Sequence, residues 1–336
     1  MEQVGDVERA WQASGVPRLV RFVPVVVVAC VVAGAAGGAP APVRFALFLQ
    51  TDLPLGGIAQ TPGGWVYTSE NTGRFRTSDA RGRGLKELAQ IAQGGEEVRC
   101  EASPGGGGFV KGAVYCHFPD DRIVRLRANG TFDVVATLPH SVAADGAMAF
   151  DNGGLFARGA IVAATGGSAS NGGDVYVVRG NGRVRHVGAY PGPGGADNLA
   201  IAPARFGPAS HWAVLAIDQT AVSGRVLAVG PRGQIRELAA GLGNGVNPIA
   251  AIRPPPKRRP RLSPRPGLYI ADTLRKSVYV ATAAQLRPHV NTVVVGTELT
   301  ADFWTIRSTP AGYRATALPT SLERTPWNLE SAVYVR

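Results

Sequence analysis

Residues 114–126 read VYCHFPDDRIVRL, a strand-like apolar run followed by an acidic turn and a second alternating strand. The same order returns at residues 214–229, which begin VLAID and end GRVLAV, and at residues 268–280, which begin LYIAD and end SVYV. The tight-turn dipeptides at 129–130, 181–182 and 232–233 each end in glycine, lie about fifty residues apart and precede a further alternating strand. These spacings indicate an internal repeat built from β-hairpins.

A short apolar strand precedes most of these units and completes the repeat. Each is entered from a Gly or Asn, at residues 57–59, 146–150, 198–202 and 247–251. Four strands per repeat at this period are typical of propeller blades, with these strands innermost. We therefore predict an all-β fold, a β-propeller with six blades of four antiparallel strands, although five or seven blades also fit. The predicted blades are 55–92, 97–138, 145–190, 197–240, 247–296 and 298–336, with residues 45–49 completing the last.

Composition agrees with this architecture. The chain has 336 residues, of which 45% are hydrophobic and 18% charged, and these fractions exclude a fully disordered protein. Its 44 glycines and 25 prolines disfavour a helical bundle. The histidines show no zinc-binding spacing, and the glycine-rich run at 105–108 lacks the ending of a phosphate-binding loop.

Three segments resemble a known group of proteins. Residues 144–150 (ADGAMAF), 197–203 (DNLAIAP) and 268–273 (LYIADT) are similar to the six-bladed propellers of the NHL-repeat and SMP-30/gluconolactonase group, over about residues 55–296. In SMP-30-like enzymes a divalent metal polarises a lactone or ester carbonyl. The resemblance carries Asn198 and Asp218 over as metal ligands, with Asp145 as a looser third. The first inner strand, GGIAQ at 56–60, lacks the glutamate that those enzymes place there.

The predicted topology independently brings oxygen ligands together. Loops that enter the innermost strands, and loops that join second to third strands, meet around one mouth of a propeller channel. Such oxygens suit Ca²⁺ or another divalent cation, and Glu97 or Glu330 would substitute for the missing glutamate. The alternative is that these residues only form turns. The residues concerned are Glu96, Glu97, Asp145, Asp197, Asn198, Asn247, Glu70, Asn71, Asp120, Asp121, Asp218 and Asp272.

The N-terminus predicts export. We divide the chain into a cytoplasmic segment 1–21, a signal peptide or membrane anchor 22–42, and a propeller domain 43–336. No charged residue occurs at 22–43, and Arg9, Arg18 and Arg21 precede this run, so the positive-inside rule sends the rest of the chain out of the cytoplasm. Cleavage near residues 39–41, retention as an anchor, and lipidation of Cys30 are the alternatives.

Two further cysteines suit an oxidising compartment. Cys100 and Cys116 lie in two strand-like segments on either side of a glycine-rich turn, so a symmetric hairpin places them opposite each other. We predict a cross-strand disulfide, with two buried thiols as the alternative.

The sharpest charge feature is the sequence RPPPKRRPRLSPRP at 253–266, in a chain of net charge +11. We predict that it joins the first and second strands of the fifth blade. Proline keeps its cations extended and solvated, so an anionic cell-wall polymer or lipid head groups are candidate partners. The alternative is an insertion without a partner. The six cations are Arg253, Lys257, Arg258, Arg259, Arg261 and Arg265.

No complete catalytic set is visible in the sequence. The leading hypothesis is therefore an exported or membrane-anchored propeller that acts as a ligand-binding or interaction module. Nucleic acid is excluded as a partner by the predicted location. The rival hypothesis is a metal-dependent hydrolase of the lactonase type.

Overall fold

Alternating apolar residues and glycine-containing turns produce short antiparallel strands along the whole described chain. The computed structural model describes residues 41–91, 98–139, 147–167, 171–218, 223–256, 264–323 and 326–336. Within these residues the strands form six four-stranded sheets. The innermost strands neighbour one another in cyclic order, so the sheets are the blades of a closed propeller.

The first four blades are each built from four consecutive strands. Blade one contains β2 (Leu55–Thr61), β3 (Gly64–Ser69), β4 (Arg74–Asp79) and β5 (Lys86–Gln90). Blade two contains β6 (Arg99–Ala102), β7 (Val114–His117), β8 (Arg122–Leu126) and β9 (Phe132–Thr137). Blade three contains β10 (Ala147–Phe150), β11 (Ile161–Ala164), β12 (Asp174–Val178) and β13 (Val184–Ala189). Blade four contains β14 (Gly195–Ile201), β15 (Ala213–Asp218), β16 (Arg225–Val229) and β17 (Ile235–Ala240).

The last two blades are interleaved in sequence. Blade five has the order β18-β21-β22-β23, and blade six has the order β24-β19-β20-β1. Blade five thus contains β18 (Val246–Ile252), β21 (Thr292–Thr297), β22 (Phe303–Thr309) and β23 (Gly312–Ala317). Blade six contains β24 (Leu329–Val335), β19 (Gly267–Asp272), β20 (Ser277–Thr282) and β1 (Ala46–Gln50).

This interleaving corrects the predicted fifth and sixth blades. The hairpin β19-β20 does not follow β18 within one sheet, because β18 pairs with β21 and β19 pairs with β24. Residues 253–266 therefore lead from the innermost strand of blade five to the second strand of blade six, and not between two strands of one blade. Strand β1 does complete blade six, but its partner is β20.

The core lies between blades. Each of six apolar clusters joins one blade to the next. The cluster that closes the ring packs Trp65 and Tyr67 of blade one against Tyr269 and Val278 of blade six. Phe48 of β1 adds to this seam, with ring centroids 5.0 Å from Tyr269 and 5.6 Å from Trp65.

Local predictions agree with the structure. Gly130 has a φ of +82° in the turn between β8 and β9, a value that glycine adopts without strain. Cys100 and Cys116 are directly opposed in β6 and β7 and form a disulfide, with 4.0 Å between their Cα atoms. It ties the innermost strand of blade two to its second strand.

Helical structure is limited to two short 3₁₀ turns in the described residues, at Gly207–Ala209 and Arg287–His289. No helix within these residues is long and apolar enough to cross a membrane. The N-terminal segments 1–21 and 22–42, with Cys30 and the cleavage site, lie almost entirely outside the described residues, which begin at residue 41.

Candidate functional site

The innermost strands begin at one end of the central channel, which we call the upper mouth. Arg99, the first residue of β6, is buried there and bridges several blades. Its Nη1 donates to the carbonyl oxygen of Gly56 in blade one, and its Nε donates to that of Asp197 in blade four over 3.2 Å. Its Nη2 donates to Asn247 Oδ1 of blade five (3.2 Å) and to Glu330 Oε2 of blade six (3.4 Å).

Two buried amides complete this layer. Asn247 Nδ2 donates to Glu330 Oε2 over 2.7 Å. Asn198 Nδ2 donates to the carbonyl oxygen of Glu330 over 3.3 Å and contacts Asn247 Oδ1 at 3.5 Å, while Asn198 Oδ1 accepts from the backbone of Leu199 over 3.1 Å. Arg99 and the two amides thus connect blades one, two, four, five and six near the upper mouth.

Above this layer, four carboxyl groups lie along an arc through blades one, six, five and four. Around the ring their order is Glu70, Glu330, Glu298 and Asp218. Adjacent carboxyl groups in this order repel each other electrostatically. Glu330 is buried, with 1% of its side chain exposed, whereas the other three are half-buried. We call these four residues the acidic arc.

Burial and neighbouring carboxyl groups raise the pKa of the three glutamates of the acidic arc. Burial raises the pKa of Glu298 to about 9, and repulsion from Glu330 and Asp218 adds to the rise. Burial also raises the pKa of Glu330, although the Arg99 charge opposes this. For Glu70, burial and repulsion from Glu330 raise the pKa. With a pKa of about 9, Glu298 keeps its proton near neutral pH beside the buried Glu330.

Backbone hydrogen bonds hold the acidic arc in place. Asp218 Oδ1 accepts from Gly245 N over 2.9 Å, and the Gly245 carbonyl accepts from Glu298 N over 2.6 Å. The Glu298 carbonyl in turn accepts from Leu329 N over 3.1 Å, next to Glu330. This chain of bonds positions the carboxyl groups of blades four, five and six through rigid loop backbone.

The structure places two of the three predicted metal ligands at the upper mouth. In the β14–β15 register Asn198 is opposite Ala216, whereas Asp218 is opposite Gly195 near the end of the pair. Asp145, like Glu96 and Glu97, lies outside the described residues. Asn247, Asp197 and Glu70 also lie at this mouth, as their position in the predicted blades indicated.

Part of the predicted donor set is already engaged within the protein. Arg99 already neutralises Glu330, and the Asn198 amide oxygen accepts from backbone. Across the described ranges, no three His, Cys, Asp or Glu side chains form a group that could hold a metal ion. Ligation by Asn198, Asp218 and Asp145 therefore stays a prediction.

Two members of this site escaped sequence reasoning. Arg99 was not singled out, although a charged residue that opens an innermost strand points towards the channel mouth. Glu298 directly follows the buried strand β21, as Glu70 follows β3, but the predicted fifth blade ended at residue 296. Glu330 was considered only as a substitute ligand. Correct strand pairing in blades five and six would have identified both glutamates.

Below the Arg99 layer the channel contains a cavity of about 150 Å³. Glu101 lines it and accepts from Phe150 N over 2.7 Å. Burial raises the pKa of Glu101 to about 7, while Arg253, also in the lining, opposes the shift. Arg253 donates to the carbonyl oxygen of Ile201 over 2.9 Å and is half-buried.

The basic loop is described only at its ends. Arg253 belongs to the channel lining, whereas Arg265 is exposed and its carbonyl accepts from the Tyr269 hydroxyl over 2.8 Å. The other four cations, Lys257, Arg258, Arg259 and Arg261, lie outside the described residues.

Comparisons with known proteins identify the fold. No family model matches the chain, and no curated protein matches it. A solved structure of a nidogen/laminin complex matches with a TM-score of 0.53 and 11% identity, over 85% of this chain and 86% of that one. The GH74 enzyme of Niastella koreensis matches with a TM-score of 0.49 and 11% identity, over 80% of this chain and 38% of that one. The first similarity supports the six-bladed propeller, while membership of the NHL or SMP-30 group stays a prediction.

Proposed function

We propose that this protein is an exported or membrane-anchored propeller that binds a partner across its upper mouth. The observation that carries this proposal is the Arg99 layer. Its hydrogen bonds join five of the six blades near the mouth, and we take the acidic arc beside it as the floor of a surface site. Rigid loops on a β-scaffold are a common way to present such a site.

An oxidising location supports the first part of the proposal. Disulfides persist mainly outside the cytosol, and Cys100 and Cys116 form one. The uncharged N-terminal run with three preceding arginines agrees with export. Protease accessibility of the propeller on intact cells tests this location.

The binding site is tested by covering the upper mouth with a bulky label, which blocks a ligand of any charge. Leu299, beside Glu298, and Val134, on the outer strand of blade two, have 54% and 56% exposure and serve as a matched pair. Peptides are selected from a random display library on the full-length chain. They are then tested on Leu299→Cys and Val134→Cys proteins that carry a maleimide-linked polyethylene glycol.

We expect the label at position 299 to abolish binding of most selected peptides, and the label at position 134 to leave it intact. Any labelling of Cys30 is common to both proteins and cancels in the comparison. Selected peptides that bind both labelled proteins equally would place the binding surface elsewhere.

The second candidate is a divalent-metal-dependent hydrolase that acts on a lactone or ester. It is favoured by the carboxyl groups that gather beside Asn198 at the upper mouth. Millimolar Ca²⁺ should then raise the thermal unfolding midpoint. Asn198→Ala combined with Asp218→Ala should abolish hydrolysis of a chromogenic ester or lactone. No midpoint shift and no hydrolysis would eliminate this candidate.

We further propose that residues 253–266 attach the protein to an anionic polymer or lipid surface. Arg253 is engaged with the channel lining, so the other five cations carry the attraction. Their replacement by serine should reduce cosedimentation with phosphatidylglycerol vesicles at low salt. Equal cosedimentation would rule out this attachment to lipid.

A further inference from the structure

We propose that the acidic arc binds a lysine or arginine side chain of a protein partner, with Leu274 and Leu299 taking apolar residues on either side of it. This inference rests on the proposed function, because it assigns a ligand class to the same mouth. It goes further by naming the group recognised and the residues that select it.

Glu330 has a buried carboxylate oxygen without a hydrogen-bond partner among the described residues. Glu330 Oε2 accepts from Arg99 and Asn247, but Glu330 Oε1 is the buried oxygen that has no such partner. A buried carboxylate oxygen without a fixed donor carries a desolvation cost that an incoming N–H group relieves.

The charge balance of the mouth is a second argument. Arg99 is the basic group among the charges that act on Glu298, against carboxylates at Glu330 and Asp218. Glu70 adds a further carboxyl group beside Glu330. Burial, together with repulsion from Glu330 and Asp218, keeps a proton on Glu298 near neutral pH by raising its pKa. An ammonium or guanidinium group placed above Glu298 and Glu330 can replace that proton while donating hydrogen bonds to both.

Two exposed leucines beside the acidic arc point to a protein as the partner. Leu299 is adjacent to Glu298 and is 54% exposed, and Leu274, in the turn after β19, is 58% exposed. The two turns are connected, since Trp327 N donates to the Leu299 carbonyl over 3.2 Å and the Arg275 guanidinium lies 3.5 Å from the Trp327 ring centroid. Exposed leucines beside an acidic site fit a basic side chain flanked by apolar ones.

The test uses two fluorescent peptides of the same length that differ at one side chain, in its positive charge and in its N–H donors. One has arginine between two leucines, and the other has citrulline, the uncharged analogue of arginine, in the same place. Binding to the full-length chain is measured by fluorescence polarisation. Glu298→Gln removes one carboxyl group from the mouth, and Glu237→Gln, on the exposed face of outer strand β17, is the matched control.

We expect the arginine peptide to bind at least about tenfold more tightly than the citrulline peptide. Glu298→Gln should remove this preference, and Glu237→Gln should retain it. Equal affinities, absence of binding at millimolar protein, or a preference that Glu298→Gln leaves unchanged would each overturn the inference. Tight stoichiometric Ca²⁺ binding that displaces the arginine peptide would also overturn it, in favour of a metal site.

The pH dependence of peptide binding distinguishes recognition by Glu298 from a purely structural role of that residue. Binding of the arginine peptide should strengthen between pH 7 and about pH 9.5, because Glu298 then loses its proton near Glu330, Asp218, Glu70 and Arg99. Glu298→Gln should abolish that trend even if its stability is altered. If these tests fail, recognition of a basic side chain is wrong. The polyethylene glycol experiment still tests the proposed function, because it detects a ligand of any charge at the mouth.

Discussion

Arg99 of blade two and Glu330 of blade six form a buried ion pair across the channel, 231 residues apart in the chain and with 3.4 Å between Nη2 and Oε2. Their side chains are 4% and 1% exposed. The pair links blades two and six, which blade one separates in the ring, so one buried contact ties these two blades together.

Replacing Arg99 by Gln should destabilise the protein by about 3 to 5 kcal/mol, because Glu330 is then buried without its cation. Urea unfolding followed by fluorescence measures the change. Arg314→Gln, on the exposed face of outer strand β23, is the control and should stay within about 0.5 kcal/mol of the wild type.

A double variant, Arg99→Gln with Glu330→Gln, should be less destabilised than the sum of the two single variants. Additive effects would show that the pair does not couple the two blades.

The free energy of unfolding should fall as pH rises from about 4.5 to about 9. Glu298 titrates near 4.5 when unfolded and about 9 when folded, so between these values the folded state holds more protons. The stabilisation is complete below the lower value and lost above the higher one. Chemical unfolding across this range measures it.

Glu101, with a pKa of about 7, contributes in the same direction below pH 7. The change in the free energy of unfolding over the segment from pH 7 to pH 9 therefore reports the titration of the Glu298 and Glu330 pair. Glu298→Gln should flatten that segment and Glu237→Gln should not. A wild-type protein that grows more stable over this segment would refute the raised pKa of Glu298.

Loss of the Cys100–Cys116 disulfide should cost about 3 kcal/mol, as expected for a loop with a sequence separation of 16. The double variant Cys100→Ser and Cys116→Ser, unfolded in urea, measures this cost. Wild-type protein treated with a reductant should match the variant. A variant as stable as the oxidised wild type would show that the cross-link adds nothing to the hydrogen bonds of β6 and β7.

Phe48→Ala should destabilise the protein by about 2 to 3 kcal/mol, because Phe48 packs on Trp65 and Tyr269 where blade six meets blade one. The neighbouring Leu47 is 57% exposed, so Leu47→Ala is the control and should change stability by less than about 0.5 kcal/mol. Equal effects of the two changes, measured by thermal and urea unfolding, would argue against β1 as a stabilising closure of the ring.

Features that depend on nearby residues were predictable. The hairpins, the glycine turns at 130, 182 and 233, and the opposed Cys100 and Cys116 follow from strand alternation and turn chemistry over a few tens of residues. The positions of Asn198, Asn247 and Glu70 at one mouth followed from the repeat. The closure by β1 was also foreseen, since a ring must join its ends.

The pairing of blades five and six was not predictable in this way. The hairpin β19-β20 has the same local pattern as any second and third strand, so its sequence fits a sheet with β18 as well as one with β24. The wrong choice ended the fifth blade at residue 296 and hid the role of Glu298.

The amino-acid sequence alone determined the strands and turns of a single blade, because apolar alternation and the conformations of glycine act over short distances along the chain. The tertiary structure alone decided which strand edges meet and which charges share the channel. Arg99, Glu298 and Glu330 acquire their environment only when the ring closes, since burial and electrostatic repulsion depend on distances in space that sequence separation does not encode.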